Sequence, residues 1–282
     1  MFKSVGIVAR YDKRNAIKLA GDIAEYIGKK GLEVYIEETL KGKMKKKGTF
    51  RPLQDMKTDL IITIGGDGTI LRTCVAIPKP EPPILAINLG VRGFLTEVPP
   101  KEAYAAVERC LKGDYIMEKC AKLAITADDV KIPDALNEVL IAVDELVKLL
   151  YARVSKNGEH VLDCQADGLM VATQTGSTGY SLSAGGPVLD PNVDAFVLTP
   201  ICSLSVLRSI VFPSDSRITV TVIRPKRIMI VVDGAYRHVL ESKNPCIMIT
   251  RSKNATTFIR FRENFYSRLR SRLIFRRFGG KI

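Results

Sequence analysis

Along the first hundred residues, short apolar runs alternate with segments whose apolar positions recur every three or four residues. Ser4–Ala9 (SVGIVA) reads as a strand. Ala16, Ile17, Leu19, Ala20, Ile23, Ala24 and Ile27 then fall at helical spacing, and Gly31 supplies a stop. Leu32–Ile36 reads as a second strand. Leu60–Ile64 is the continuous apolar run expected of a strand buried on both faces. A Gly-rich turn and a helix to about Ile77 follow, then a buried strand, Ile84–Leu89. Ala103, Val107, Cys110 and Leu111 mark another amphipathic helix. Strands alternating with helices predict right-handed crossovers and an α/β domain with a parallel sheet.

Near residues 115–122 the pattern changes. Glu138–Val143, Leu146–Val154, Val161–Cys164, Gly168–Ala172, Ala195–Leu198, Ile218–Ile223, Ile228–Val232 and Cys246–Thr250 are short and separated by turn residues. Asn157-Gly158 is a strong hairpin signal. Long helices are missing, so this part is predicted to be a mostly antiparallel β-sandwich of two sheets. No internal repeat or low-complexity linker marks the boundary. The expected domains are 1–118, 119–254 and a C-terminal segment, 255–282, that returns to the first domain.

Charge changes the picture in one place. The 282 residues carry 43 Lys and Arg against 30 Asp and Glu, a net +13 that suits polyanionic partners such as nucleic acid, anionic membrane, nucleotides or phosphate chains. From Arg251 to Ile282, however, ten basic residues face one acid, Glu263, so this tail holds +9 and the body only +4. Phe265, Tyr266, Leu269 and Leu273 repeat there at helical spacing among Arg268, Arg270, Arg272, Arg276 and Arg277. The expectation is a helix that packs its apolar stripe on the first domain and leaves its arginines in solvent. Nucleic acid is thereby disfavoured as a partner. Between Lys41 and Lys47, five of seven residues are Lys, which reads as a solvated loop. The six cysteines are scattered and form no C-x-x-C pair, so reduced thiols are expected rather than zinc or disulfides. His160 and His238 read as surface residues. No run of about 18 apolar residues exists to span a membrane, and no signal peptide opens the chain, so a cytoplasmic protein is expected.

Two motifs carry chemistry. Gly65-Gly66-Asp67-Gly68-Thr69 directly follows the buried strand Leu60–Ile64. Glycines there let the backbone turn sharply and let its N–H groups approach an anion, and the helix that follows points its positive end at the same place. No Gly-Lys-Ser/Thr follows, so it is not a P-loop. A carboxylate beside phosphate needs a task, and Asp67 reads as the acceptor of a proton from a hydroxyl nucleophile or as a metal ligand, the plain alternative being a helix cap. The second motif is Asp167-Gly168 with Thr175-Gly176-Ser177-Thr178-Gly179-Tyr180-Ser181-Leu182-Ser183-Ala184-Gly185-Gly186-Pro187. Its dense hydroxyls and glycines suit the polar edges of a ligand, with Tyr180 able to stack on a base.

In this order, G-G-D-G-T, an Asn137-Glu138 pair opening a strand, T-G-S-T-G-Y-S-L-S-A-G-G-P and Val232-Asp233-Gly234 resemble the NAD kinases over roughly residues 1–250. Asn88-Leu89-Gly90 and Gly93-Phe94-Leu95-Thr96-Glu97 match as well. G-G-D-G-T alone is shared with diacylglycerol, sphingosine and 6-phosphofructokinases; the Thr175–Pro187 segment singles out NAD kinase. The resemblance implies transfer of a phosphoryl group to the 2′-hydroxyl of the adenosine ribose of NAD, giving NADP. It assigns Asp67 as general base, Gly66 and Gly68 to the phosphates, and Arg72 to a diphosphate unless it is a surface arginine of its helix. Asn137 and Glu138 resemble the adenosine-binding pair. Thr175 and the run from Thr178 through Gly179 and Tyr180 to Ser183 resemble the adenine pocket. Asp167 resembles the carboxylate near the carboxamide end of the dinucleotide, and Asp233 a second acidic group of the site or a turn-forming Asp-Gly. Lys148 falls where relatives carry a basic residue, and a solvated strand lysine is the alternative.

This chain departs from the family in having Gln174 where relatives carry Pro and Gly179 where they carry Ala, replacements expected to loosen the adenine pocket. After Pro200-Ile201-Cys202 comes Ser203, with no Pro-His pair. The resemblance further implies a divalent metal, Mg²⁺, accompanying the donor, either ATP or inorganic polyphosphate, and a homo-oligomer, dimer or tetramer; it leaves open NADH as acceptor. The weighed alternatives are a lipid or sugar kinase of the same superfamily and a non-catalytic dinucleotide-binding regulator whose basic tail docks nucleic acid.

Overall fold

The computed structural model describes residues 2–44, 48–90, 93–145, 148–205, 207–262 and 265–273. The chain divides into two compact units, one formed by residues up to Lys119 together with those from Thr256 onward, the other by Cys120–Ala255.

In the first unit five strands run parallel in the order Ile84–Asn88, Leu60–Gly65, Ser4–Ala9, Glu33–Glu37 and Thr49–Arg51. Phe258, near the end of the long strand Cys246–Arg260, pairs in parallel with Ile84 and extends the sheet. Every residue of Leu60–Gly65 is buried, as the continuous apolar run required. Helix Arg14–Gly28 connects the neighbouring strands Ser4–Ala9 and Glu33–Glu37. It buries Ala16, Ala20, Ile23 and Ile27 in a core shared with Val5, Ile7, Ile62, Leu85 and Val107. Burial of each such Ile, Leu or Val side chain contributes roughly 1.5–3 kcal/mol. Register decides where the site sits. Ala9 pairs with Ile64 and Gly65 with Asn88, so Arg10, the Gly66–Gly68 turn and the segment after Asn88 all leave the sheet at one carboxyl edge, where open α/β sheets bind ligands.

The second unit contains a six-stranded antiparallel sheet in the order Ile210–Pro213, Ala195–Ile201, Gly168–Ala172, Glu138–Val143, Arg227–Val232 and Tyr236–Glu241. In a second sheet Glu159–Ala166, Leu150–Lys156, Ile218–Arg224 and the start of Cys246–Arg260 are antiparallel neighbours. Asn157 and Gly158 take φ of 53° and 91° between two of these strands, the left-handed pair that a tight hairpin requires.

The differences from expectation have local causes. Strands Ile116–Ala127, Val130–Ala135 and Tyr236–Glu241 carry Lys122, Pro133-Asp134 and Arg237-His238, charges and a proline that hide a strand pattern. The strand expected from Leu146 starts at Leu150, residues 146–147 lying outside the described ones. Lys45–Lys47 also lie outside, as do residues 274–282, including Arg276 and Arg277.

The C-terminal segment forms helix Phe265–Leu273, with the Phe265 ring edge-on to Phe94 at 5.5 Å. One expectation fails here. The Arg268 side chain is only 11% exposed and faces Glu97 and Glu118, while Tyr266, expected on the apolar stripe, is 58% exposed. Acids placed far earlier in the chain account for the difference. Arg251 likewise pairs with Asp194, and Arg260 with Glu97 and Glu118, so the tail's positive charge is partly neutralised within the fold.

Candidate functional site

In the first unit, Asp67 opens helix Asp67–Ala76 directly after the buried strand. The backbone N–H of Phe94 donates to both carboxylate oxygens, at 3.1 and 2.9 Å, and that of Leu95 donates to Oδ1 at 3.0 Å. The carboxylate is thereby aimed from the neighbouring loop at the carboxyl edge of the sheet.

The glycines around it differ in what they are for. A methyl at Gly65 would lie 2.3 Å from the Thr69 hydroxyl, so Gly65 lets strand and helix approach. Gly66 and Gly68 have nothing within 4 Å of such a methyl, and neither takes a positive φ. Neither protein packing nor backbone conformation demands glycine there. Open space therefore stands over the helix N-terminus, where N–H groups favour an anion.

Arg72, one turn further on, makes a two-pronged ion pair with Glu37 at the end of strand Glu33–Glu37, Nη2 lying 2.9 Å from Oε2. Glu37 is 1% exposed and Arg72 about 30%, so a buried carboxylate fixes the guanidinium while part of it faces outward.

In the second unit, Asn137 and Glu138 open strand Glu138–Val143, both 8% exposed. The Asn137 Oδ1 is buried with no hydrogen-bond partner in the described structure, an acceptor available to a ligand. Asp233 sets the backbone of this pair. It sits in the left-handed Asp233-Gly234 turn, φ 51° and 64°, between strands Arg227–Val232 and Tyr236–Glu241. Its carboxylate accepts the N–H groups of Leu136 (2.7 Å), Asn137 (2.7 Å) and Glu138 (3.0 Å). The residue therefore forms the turn and also braces the backbone of Asn137 and Glu138. Burial pushes its carboxyl up to about 6, against the downward pull of those three N–H groups and of the fully buried Lys122 ammonium.

The hydroxyl-rich loop packs onto the same pair. Thr173 donates its N–H to the Asn137 carbonyl at 2.8 Å and its hydroxyl to the Leu136 carbonyl at 2.6 Å. A methyl at Gly176 would stand 2.0 Å from the Asn137 oxygen, so only glycine permits this contact. The buried hydroxyls of Ser177, Thr178 and Ser181 bond to Gln174, Thr175 and Thr199, so they hold the loop together. Thr175 is buried as well, whereas Tyr180, 46% exposed, and Ser183 lie at the surface. A methyl at Gly179 would lie 3.1–3.3 Å from Gly176 O, Glu138 Oε2 and Asn137 Nδ2, so its absence leaves room beside the pair. Asp167 is exposed between strands Glu159–Ala166 and Gly168–Ala172, and Lys148 is exposed and paired with Glu145. Of the histidines, His160 is exposed beside Asp163 and His238 is half-buried.

Sequence reasoning missed Glu37, Lys122 and the Phe94 and Leu95 amides. Only the match of Gly93–Glu97 to the family drew attention to that loop. Among the described residues no group of three or more His, Cys, Asp and Glu side chains is placed to hold a metal, and no helix is long and apolar enough to cross a membrane.

Comparison with known proteins bears on both units. Residues 5–115 match the model of the ATP-NAD kinase N-terminal domain, and 136–261 that of the ATP-NAD kinase C-terminal domain. The chain is 37% identical to an NAD kinase of Methanothermobacter thermautotrophicus over 273 residues, 96% of each chain. It is 39% identical to an NAD kinase of Thermococcus sibiricus over 264 residues, 93% of this chain and 95% of that one. Among solved structures it is similar to an NAD kinase from Archaeoglobus fulgidus in complex with ATP, with 27% identity, a TM-score of 0.78, and coverage of 95% of this chain and 99% of that one. The fold is also that of a yeast NADH kinase complexed with NADH, at 23% identity and a TM-score of 0.87, covering 95% and 86% of the two chains.

Proposed function

We infer the chemistry from one premise: this chain belongs to the NAD kinase family and phosphorylates NAD to give NADP. The 2′-hydroxyl of the adenosine ribose attacks the terminal phosphoryl group of the donor, and Asp67 takes its proton. The observation that carries this role is the pair of backbone N–H donors that hold the Asp67 carboxylate in one direction. A fixed acceptor of this kind contributes typically 10²–10⁴-fold to rate. The open space over Gly66 and Gly68 receives donor phosphates at the helix N-terminus, with Arg72 held by Glu37 to meet a diphosphate. Asn137, Glu138 and the loop from Thr175 to Ser183 bind the adenosine part. Asp167 and Lys148 contact the dinucleotide from exposed positions.

ATP is the donor in this reading, since a relative covering 95% of the chain binds it. The described residues offer no carboxylate cluster for a resident metal, so the divalent ion, Mg²⁺, arrives on the donor's phosphates as part of the substrate and neutralises their charge there. A homo-oligomer, dimer or tetramer, is proposed from the half-exposed apolar row Leu140, Ala142, Met229, Val231 and Val239. These residues are cross-strand partners on one face of the six-stranded sheet.

The test is incubation of the purified chain with NAD, Mg²⁺ and either ATP or polyphosphate, with NADP as readout. ATP should support turnover, and Asp67→Asn should lower kcat about 10²–10⁴-fold with the KM for NAD little changed. Turnover from polyphosphate alone would overturn the choice of donor, and an Asp67→Asn enzyme of full activity the assignment of the base. Light scattering that returned a monomer would remove the oligomer.

A further inference from the structure

The loop that aims Asp67 is held from its other side. Leu95 donates its N–H to Asp67, while its carbonyl accepts a hydrogen bond from Arg260 Nη1 at 2.8 Å. Arg260 is 5% exposed, and its Nε lies 2.5 Å from Glu118 Oε2. Glu97, two residues beyond Leu95, has a side chain only 2% exposed. It accepts the Phe261 N–H at 3.1 Å and stands 3.4 Å from Arg260. Helix Phe265–Leu273 completes the set. Arg268 stands 3.8 Å from Glu97 and 3.6 Å from Glu118, with its guanidinium 5.4 Å from the centre of the Phe94 ring, and Phe265 packs edge-on against that same ring. Phe94 is the residue whose N–H donates to both Asp67 oxygens.

Two arginines and two glutamates thus close a charge-balanced network around Phe94 and Leu95. The peptide that directs the carboxylate has no regular secondary structure of its own to fix it, since Phe94 and Leu95 lie in a bend. Its direction is set by side chains supplied from the end of the chain.

We propose that Arg260 and the C-terminal helix, through Phe265 and Arg268, form a positioning element for the Asp67 carboxylate, a role that rests on the reading of Asp67 as proton acceptor. All three act on Asp67 through Phe94 and Leu95. Their contribution is geometric, and displacement of a reacting group by about 1 Å can cost up to 10²-fold in rate.

The experiment uses the full chain with Phe265→Ala/Arg268→Ala, assayed with NAD, Mg²⁺ and ATP well below the melting temperature. The expected result is a kcat about 10- to 100-fold lower, with KM for NAD and ATP within about twofold of wild type. The conservative pair Phe265→Leu/Arg268→Lys should recover most of the rate, because bulk and charge return. Ser267→Ala, on the exposed side of the helix, should leave kcat unchanged. The decisive arm repeats the double substitution in an Asp67→Asn background. There it should cost less than about twofold, because residues acting through one group are not additive.

An unchanged kcat in the folded double variant overturns the proposal. So does an equal fractional loss in the Asp67→Asn background, or a loss that tracks the unfolded fraction seen by circular dichroism. If Asp67→Asn itself turns over at the wild-type rate, the reading of Asp67 fails first and the proposal with it. A slow Asp67→Asn beside an unaffected helix variant rejects the proposal alone.

Discussion

Gly68 and Gly176 stand in the two motifs for different reasons, and alanine separates them. A methyl at Gly68 meets nothing within 4 Å, and the residue lies in the first turn of a helix without a positive φ. Alanine is favoured over glycine in a helix interior by about 1 kcal/mol, and less in a first turn, so Gly68→Ala should raise stability by up to about 1 kcal/mol. For a domain of this size that is a rise of about 1–3 °C in Tm. The same methyl fills the space assigned to donor phosphates, and kcat/KM for ATP should fall by about 10²-fold.

At Gly176 the methyl would lie 2.0, 2.5 and 2.8 Å from the O, C and Cα of Asn137, all backbone atoms. The loop must withdraw by more than 1 Å, on the order of an overpacked core site costing about 1–3 kcal/mol. It also strains the bonds from Thr173 to Leu136 and Asn137, at about 1 kcal/mol each. The total is about 3–5 kcal/mol, or a Tm lower by about 10 °C. Thermal melts and urea midpoints, with steady-state kinetics on the same preparations, measure both arms. A Gly68→Ala enzyme with unchanged kcat/KM for ATP would refute the phosphate site, and a Gly176→Ala protein within about 1 kcal/mol of wild type would refute the packing argument.

Three further outcomes are expected. Asp233, lifted to about 6, keeps its proton in the folded chain between about pH 4 and 6, where an unfolded aspartate has lost it. The folded state then binds more protons, so this contribution is complete below about pH 4 and is lost as pH rises through 6. Urea midpoints should fall over that window in wild type relative to Asp233→Asn, and parallel curves would exclude the assignment. Arg72→Met strands the 1%-exposed Glu37 carboxylate and should cost about 2–4 kcal/mol, below the value for a fully buried pair because Arg72 is itself 30% exposed. Adding Glu37→Gln should recover at least half of that loss in urea titrations, and no recovery would show that the pair is not the cause. A thiol reagent should modify exposed Cys202 first and spare Cys110, pushed up to about 12 by burial, and Cys74, Cys120 and Cys164 until the chain unfolds; early labelling of Cys110 would contradict its burial.

The parallel strands were legible because burial on both faces leaves an unbroken apolar run, and Leu60–Ile64 is the clearest case. The Gly-Gly-Asp-Gly-Thr motif was legible because glycines flanking a carboxylate after such a strand have few other uses. What holds Asp67 was not, since the Phe94 and Leu95 amides are backbone and any residue supplies them. Arg268 was misread for a related reason. An arginine in a basic stretch looks solvated until folding brings Glu97 and Glu118 to it. Lys122 and Glu37 share that property: a charge inside a strand announces neither its burial nor its partner. In the second unit, Asp233-Gly234 could be recognised as a turn, but its grip on the Leu136–Glu138 backbone depends on a register between strands that sequence does not display.

Unit 1 is discontinuous, and this fixes an order of events during synthesis. A ribosome adding roughly 5–20 residues per second makes all of Cys120–Ala255 before it makes Arg260 or Phe265. The second unit therefore has its whole sequence available while the first, begun earlier, still waits for the strand end that pairs with Ile84 and for the guanidinium that grips Leu95. The nascent chain can complete the second unit well before the first is finished. Whatever in the first unit depends on Arg260 and Phe265 is gained only after the whole of the second unit has been made.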